Sequence, residues 1–290
     1  MSLRCFLSPR ARFVAHGSMS AIVRTFTPEG FVIAADGRAT NLNLSIQNET
    51  EQKIFPINPL CGPCALSICG AVDIASDDRS HIAVDVQTTI RESVKALERR
   101  KIKNLLGYAV RLSRDVHTAM KQAVLSGSVA DYEGYNCGLP EVGMQGHTIT
   151  SIWLDGDSNN KPSSIAIRLF HENGILAEPE VSPQDLMIGG HRIYGSILIA
   201  DILFNPENEV RDYIGTTIFQ AHRPKWMYCE DIRLADAIDR SKRYIEACSD
   251  PEAVTLDKEC ARIGGRIHIA TVTANEGFKW VPGFEPVTPA

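Results

Sequence analysis

The sequence predicts an α+β fold, a four-layer αββα sandwich in which two stacked antiparallel sheets lie between two helical layers. Three observations predict it. The elements come in blocks: strands, two helices, strands, two helices and a last strand. Each helical stretch carries one apolar stripe that needs a sheet to cover it, and stacking buries every such face most economically. The 290 residues are 44% hydrophobic and show no linker, repeat or low-complexity run, which suits one domain with a full core.

Residues 1–19 stand apart. Met1 to Ser18 holds Arg4, Arg10 and Arg12 with no acidic residue and no pattern that packs. The stretch reads as a transit peptide, a propeptide or an upstream extension, because Met19 is itself a plausible start. The domain is expected over 20–290, and loss of residues 1–19 would expose Ser20 as the chain terminus.

The first block opens with two β-prone runs, Ala21 to Phe26 and Phe31 to Ala35, around Thr27-Pro28-Glu29-Gly30. Proline presets the first corner of a turn and glycine accepts positive φ, so a hairpin is predicted. Asp36-Gly37-Arg38 follows, then a polar loop over Asn41 to Thr50. Lys53 to Ile57 and Ala65 to Val72 are expected as strands. Helical stripes run through Ile82, Val86, Ile90, Val94 and Leu97, and through Leu105, Tyr108, Leu112, Val116, Met120 and Ala123.

Val129 to Gly146 lacks any period and reads as a long loop or insertion. Strands are expected at Thr148 to Leu154, Ser164 to Phe170 and Gly174 to Ala177. Helices are expected at Ile193 to Phe204 and Glu230 to Cys248, and a final strand at Arg266 to Val272.

Composition excludes several functions. No run reaches the roughly 20 apolar residues that span a bilayer, so no membrane role is expected. The net charge is -5 with no basic block, which argues against nucleic-acid binding. Eight scattered cysteines without a secretory signal read as reduced thiols of a cytoplasmic protein. The histidines are dispersed and no second Cys-x-x-Cys recurs, so neither a metal nor a cofactor is implied.

A small hydroxyl residue, the hairpin, Ala34-Ala35-Asp36-Gly37-Arg38-Ala39-Thr40 and the Lys53-Ile54-Phe55-Pro56-Ile57 strand resemble the opening of a proteasome β-type subunit, and of the related bacterial HslV-type peptidases. The likeness covers Ser20 to Asp73 well and the remainder in outline. It implies an N-terminal-nucleophile (Ntn) hydrolase of threonine or serine type, with Ser20 as nucleophile and Asp36, Arg38 and Lys53 as its supporting group. By the same resemblance the oxyanion hole is the backbone N–H at Cys69 or Gly70. A homo-oligomeric ring, a peptide or protein substrate and an unfoldase partner would follow.

The chemistry these residues offer is coherent. A serine hydroxyl needs an adjacent base. A free α-amine titrates near 7.7–8.0, so an exposed Ser20 would supply nucleophile and base together, with a water relaying the proton. Lys53 nearby would depress the amine, and Asp36 would hold Lys53 charged.

Two departures from the family pattern weigh against activity. The family's serine turn aligns with Ile188-Gly189-Gly190-His191, where Gly190 has no serine beside it. The family's aspartate aligns with Cys260, with Glu259 one residue away. A non-catalytic ring subunit of the same fold is therefore the alternative. From another class, Cys61-Gly62-Pro63-Cys64 copies the thiol-disulfide motif, although that chemistry needs a helix beginning at the motif and a strand is expected there.

Overall fold

The computed structural model describes residues 20–40, 45–78, 80–100, 102–135, 137, 146–189, 191–204, 217–224 and 231–287. The expected extension 1–19, Gly190 and most of the loop before Gly146 lie outside the described residues.

Strands β1 (Ile22–Thr27) and β2 (Gly30–Ala35) form the expected hairpin, with Thr27 opposite Gly30 and Ile22 opposite Ala35. The Thr27 hydroxyl accepts the N–H of Glu29 and of Gly30, each at 3.2 Å, and so ties the turn. The following loop is less plain than its composition suggests. It carries a small ladder between β3 (Ala39–Thr40) and β4 (Ile46–Asn48).

Next come β5 (Ile54–Ile57) and β6 (Cys64–Gly70), then a short pair, β7 (Asp73–Ala75) and β8 (Ile82–Asp85). Helices α1 (Val86–Glu98) and α2 (Leu105–Leu125) follow, then the long hairpin of β9 (His147–Asp157) and β10 (Pro162–Glu172). Strands β11 (Ile175–Leu176) and β12 (Glu180–Pro183) both pair with β10. The last third holds β13 (His191–Tyr194), α3 (Ile197–Phe204), α4 (Thr217–His222), α5 (Leu234–Cys248), α6 (Ala253–Leu256), a 3-10 turn (Lys258–Arg262), β14 (His268–Thr273) and β15 (Gly277–Trp280).

One antiparallel sheet runs β13-β1-β2-β14-β15 and the other β11-β10-β9-β6-β5. The buried side chains fall into three apolar clusters. Ile33, Ile54, Cys69, Trp153 and Val272 meet where residues of both sheets converge. Leu66, Ile152 and Ile167 meet Tyr108, Leu112 and Val116 of α2. Val23, Val32 and Ile269 meet Ile199, Tyr244 and Ile245 of α3 and α5. The alternation along β1 explains the division: Ile22 faces the other sheet while Ala21 and Val23 face the helices.

Arg24, next on the inward row of β1, donates to Asp155 on β9 through Nε at 2.6 Å and a terminal nitrogen at 2.5 Å. The same terminal nitrogen reaches the Ser164 hydroxyl at 2.5 Å, and the guanidinium carbon sits 5.3 Å from the Trp153 ring centroid. This buried ion pair ties the two sheets together.

Three predicted boundaries are corrected. Ile82 is in β8, and α1 begins only at Val86, because the Asp85 carboxylate accepts the Thr88 N–H at 2.7 Å and must sit at the N-cap. The stretch from Ile193 to Phe204 is a strand end and a helix, not one helix. Gly195 breaks it at φ 131°, and a Cβ there would lie 2.7 Å from the Tyr244 hydroxyl. Ser196 then caps α3 by accepting the Ile199 N–H at 3.1 Å. The last long helix starts at Leu234, its expected first residue Glu230 lying outside the described residues.

Candidate active site

Asp36 leaves the end of β2 and is fully buried. Its N–H donates to the Ala21 carbonyl at 3.0 Å, and its Oδ1 accepts the Ala21 N–H at 2.9 Å. The β1–β2 ladder thus extends by one step through a side chain and fixes the backbone directly after Ser20. The same Oδ1 accepts from the Lys53 ammonium at 2.7 Å. Lys53 also donates to the Arg38 carbonyl at 2.7 Å, and its own carbonyl takes the Ile68 N–H at 3.0 Å, which anchors it to β6.

The other carboxylate oxygen, Oδ2, accepts the N–H of Gly264 at 3.1 Å and of Arg38 at 3.3 Å. Gly264 has φ 153°, and a Cβ there would lie 2.6 Å from the Arg38 guanidinium carbon, so only glycine brings this N–H to Asp36. Burial pushes the Asp36 carboxyl above its ordinary value, while Lys53 and the N–H groups of Gly264 and Ala21 pull it back. With donors on both oxygens, Asp36 acts as an acceptor throughout.

Ser20 is 4% exposed. The Cys69 thiol lies 3.8 Å from its carbonyl oxygen and donates to it. Burial pushes that thiol up to about 11, with Lys53 opposing, so Cys69 stays protonated beside Ser20. Gly70 ends β6, where the Ala71 N–H donates to the Ile149 carbonyl at 2.9 Å.

The remaining sequence candidates divide. Arg38 turns away from Lys53: its side chain pairs with Glu49 at 3.1 Å and donates to the carbonyls of Ala261 and Ile263. It therefore steadies the segment that presents Gly264. Glu259 is half exposed and faces Arg262 at 3.6 Å, outside the Asp36 cluster. Cys260 is buried in the apolar cluster that includes Cys248 and Tyr244. Gly190 falls outside the described residues.

Sequence reading missed Ser196. Tyr194 pairs with Ile22 across β13 and β1, and Gly195 follows it. A Cβ on Gly195 would lie 3.3 Å from the Ala21 Cα, so Ser196 comes in beside the start of β1. Its hydroxyl donates to Asp257 Oδ2 at 2.6 Å. A Gly-Ser turn, Tyr194-Gly195-Ser196, thus lies between β13 and α3, and Asp257 is the carboxylate that its hydroxyl binds. The signal was present as a Gly-Ser step inside an apolar run.

The Cys61–Cys64 motif has the wrong setting for dithiol chemistry. Cys64 opens β6, and burial pushes both thiols up rather than down. Among the described residues, no group of three or more His, Cys, Asp or Glu is arranged to hold a metal, and no helix is long and apolar enough to cross a membrane.

His268, on β14 opposite Ala35, is fully buried, and neither ring nitrogen has a hydrogen-bond partner among the described residues. Burial, with Arg266 and Lys53 nearby, pushes it down to about 4. The unfolded chain takes up this proton near pH 6.5, before the folded one does, so stability falls as pH drops from about 6.5 to 4. That gap corresponds to about 3 kcal/mol. His268→Gln is expected to remove this part of the pH dependence, checked by urea denaturation across the window. An unchanged slope would contradict it.

No family model matches the chain, and no curated protein matches it. Solved structures do. The chain is similar to the structure titled Anbu (Gly-1) mutant from Hyphomicrobium sp. strain MC1, with 12% identity and a TM-score of 0.51 over 92% of this chain and 88% of that one. It is equally similar to the helical assembly of the Anbu complex from Pseudomonas aeruginosa, with 12% identity and a TM-score of 0.51 over 90% and 86%. A third, titled Anbu (ancestral beta-subunit) from Yersinia bercovieri, gives 11% identity and a TM-score of 0.48 over 92% and 88%. The resemblance to proteasome β-type and HslV-type subunits is corrected accordingly: the described likeness is to Anbu structures, and at this identity it establishes a shared mixed α/β fold with antiparallel sheets.

Proposed function

We propose that the chain is an amide hydrolase that works through an acyl-enzyme on Ser20, within a domain spanning 20–290 and layered as an αββα sandwich. One observation carries the reading. A single oxygen, Asp36 Oδ1, holds both the Lys53 ammonium at 2.7 Å and the N–H of the residue after Ser20 at 2.9 Å. The arrangement fixes a cation and the backbone N–H that directly follows Ser20 on one carboxylate oxygen.

In this reading residues 1–19 are removed and the Ser20 α-amine becomes the base. Lys53 lowers the amine's proton affinity, so that near neutral pH it takes the hydroxyl proton through a water. Ser20 Oγ attacks the substrate carbonyl, and backbone N–H at the Cys69–Gly70 end of β6 steadies the oxyanion. The amine product leaves with the relayed proton, and a water then hydrolyses the ester. Ser196, held by Asp257, and Arg38, holding the Gly264 segment, position the surroundings. Peptides or proteins are the substrates.

Copies of the chain assemble with one another in this reading. The helical assembly of Anbu from Pseudomonas aeruginosa supports a head-to-tail contact, which closes into a ring only where the rotation per copy permits. The cytoplasm is the compartment in which its thiols stay reduced, and an unfoldase would deliver folded substrates.

The test is Ser20→Ala. Peptide cleavage is expected to fall by roughly three orders of magnitude or more with the fold intact by circular dichroism. Unchanged cleavage would overturn the reading in favour of a structural subunit.

A further inference from the structure

The long loop after α2 has no sequence period, yet its described part is fastened closely to the rest of the fold. The Ala130 N–H donates to the Asp77 carboxylate at 2.9 Å, and the Asp77 N–H donates to the Ser128 carbonyl at 3.0 Å. Tyr132 is fully buried, and its hydroxyl donates to the Met120 carbonyl at 2.7 Å. One ring nitrogen of His171 accepts the Gly174 N–H at 3.0 Å. The other therefore carries the proton and donates to the Tyr135 carbonyl at 3.0 Å. The Cys137 N–H then donates to the Thr148 carbonyl on β9 at 2.8 Å.

Two side chains of this loop reach the segment that ends β6 and leads into β7. At the near end Gly70 has φ 101°, and a Cβ there would lie 2.9 Å from the Cys137 Cβ and 3.0 Å from its sulfur. The Cys137 side chain therefore packs on the Cα of Gly70, in space that only glycine leaves open. At the far end the Tyr135 hydroxyl accepts the Ala75 N–H at 3.0 Å and donates to the Ala75 carbonyl at 3.4 Å. Between these two grips the segment is held from β9 and α1. The Thr150 hydroxyl donates to the Ala71 carbonyl at 2.7 Å, and the Val86 N–H to the Val72 carbonyl at 2.9 Å.

We propose that Tyr135 and Cys137 are positioning residues for the oxyanion hole, through which the loop braces residues 70–75 at both ends. The inference rests on the Ser20 reading, and it gives the long loop a task in the same reaction. An oxyanion donor contributes only when it is already in place as charge develops. Gly70, at positive φ, has more backbone freedom to lose than any other residue type, so its peptide groups need fixing from outside. Cys137 acts by contact, as a small side chain against the Gly70 Cα. Tyr135 acts by its two hydrogen bonds to Ala75, which phenylalanine would remove while keeping the ring. Neither side chain touches the reacting atoms.

The test compares the wild-type chain with Tyr135→Phe, Cys137→Ala and Cys137→Ser. In Tyr135→Phe, kcat for peptide cleavage is expected to fall by about 10–10²-fold with KM little changed, as a small misplacement of a fixed group costs. A peptide aldehyde adds to the Ser20 hydroxyl and sets its hemiacetal oxygen in the hole. Its affinity should weaken by the same factor as kcat/KM, while the matching peptide acid binds as before. A merely structural lesion would lower the folded fraction, read by circular dichroism, and leave that ratio of affinities unmoved. Cys137→Ala should shift kcat and aldehyde affinity in the same direction, and Cys137→Ser, which keeps the size, should restore them. Should Tyr135→Phe fail to fold, the two Cys137 variants decide. Parental kcat and aldehyde affinity in folded Tyr135→Phe and Cys137→Ala would overturn the inference. Wild-type cleavage that survives Ser20→Ala would instead overturn the Ser20 reading, and the inference with it.

Discussion

Lys53→Met is expected to unfold at markedly lower denaturant and to lose turnover. Asp36 has no exposure and Lys53 almost none, and their 2.7 Å contact is the only counterion that the described residues give this carboxylate. Removing one partner of a buried pair leaves the other charge uncompensated, which costs about 3–5 kcal/mol. With Lys53 gone, burial acts on Asp36 without its main opposing charge, so the carboxyl moves further up. The loss is therefore larger at pH 8 than at pH 5, where a protonated Asp36 is tolerated. Urea denaturation at both values checks this. Peptide turnover should fall by about 10²–10³-fold, because in the proposed mechanism the Ser20 α-amine then keeps its proton near neutral pH and a fixed charge at the site is lost. A variant with parental stability and turnover would remove Lys53 from the account.

The second large effect lies between the sheets. Arg24→Met leaves Asp155 at 1% side-chain exposure without its bidentate partner. The expected cost is again about 3–5 kcal/mol. The double variant Arg24→Met with Asp155→Leu removes both charges and keeps apolar volume over Trp153, so it should recover most of the loss, to within about 1–2 kcal/mol of the parent. A double-mutant cycle by urea denaturation measures this. Additive losses would mean that the pair acts separately at the two positions. Turnover per folded molecule should change little, because the pair lies apart from Ser20.

The parts of the site that could be read in the sequence are those set by local spacing. Asp36 follows a hairpin whose turn, Thr27-Pro28-Glu29-Gly30, fixes the register, so its place beside residue 21 follows from counting along two short strands. Lys53 precedes a four-residue apolar strand and could be placed the same way. Ser196 could not, because Ile193 to Phe204 is apolar enough to pass for one helix, and only the backbone break at Gly195 separates strand from cap. Asp257 was hidden for a related reason. It caps the 3-10 turn, and only the folded turn brings its carboxylate to the Ser196 hydroxyl. The β7–β8 ladder was mistaken for the start of α1 because Ile82 falls in step with the helical stripe, and Asp85 decides the boundary through its cap bond to Thr88. Local propensity located the elements, and long-range contacts chose the partners.

The central claim is that Ser20, freed of residues 1–19, forms an acyl bond. It is tested most directly by incubating the purified protein with a peptide bearing a β-lactone electrophile and locating the adduct by mass spectrometry. The account predicts a chain that begins at Ser20 and carries the adduct on the Ser20 hydroxyl. A chain that retains residues before Ser20 and stays unmodified, or one labelled on a cysteine instead, would contradict it.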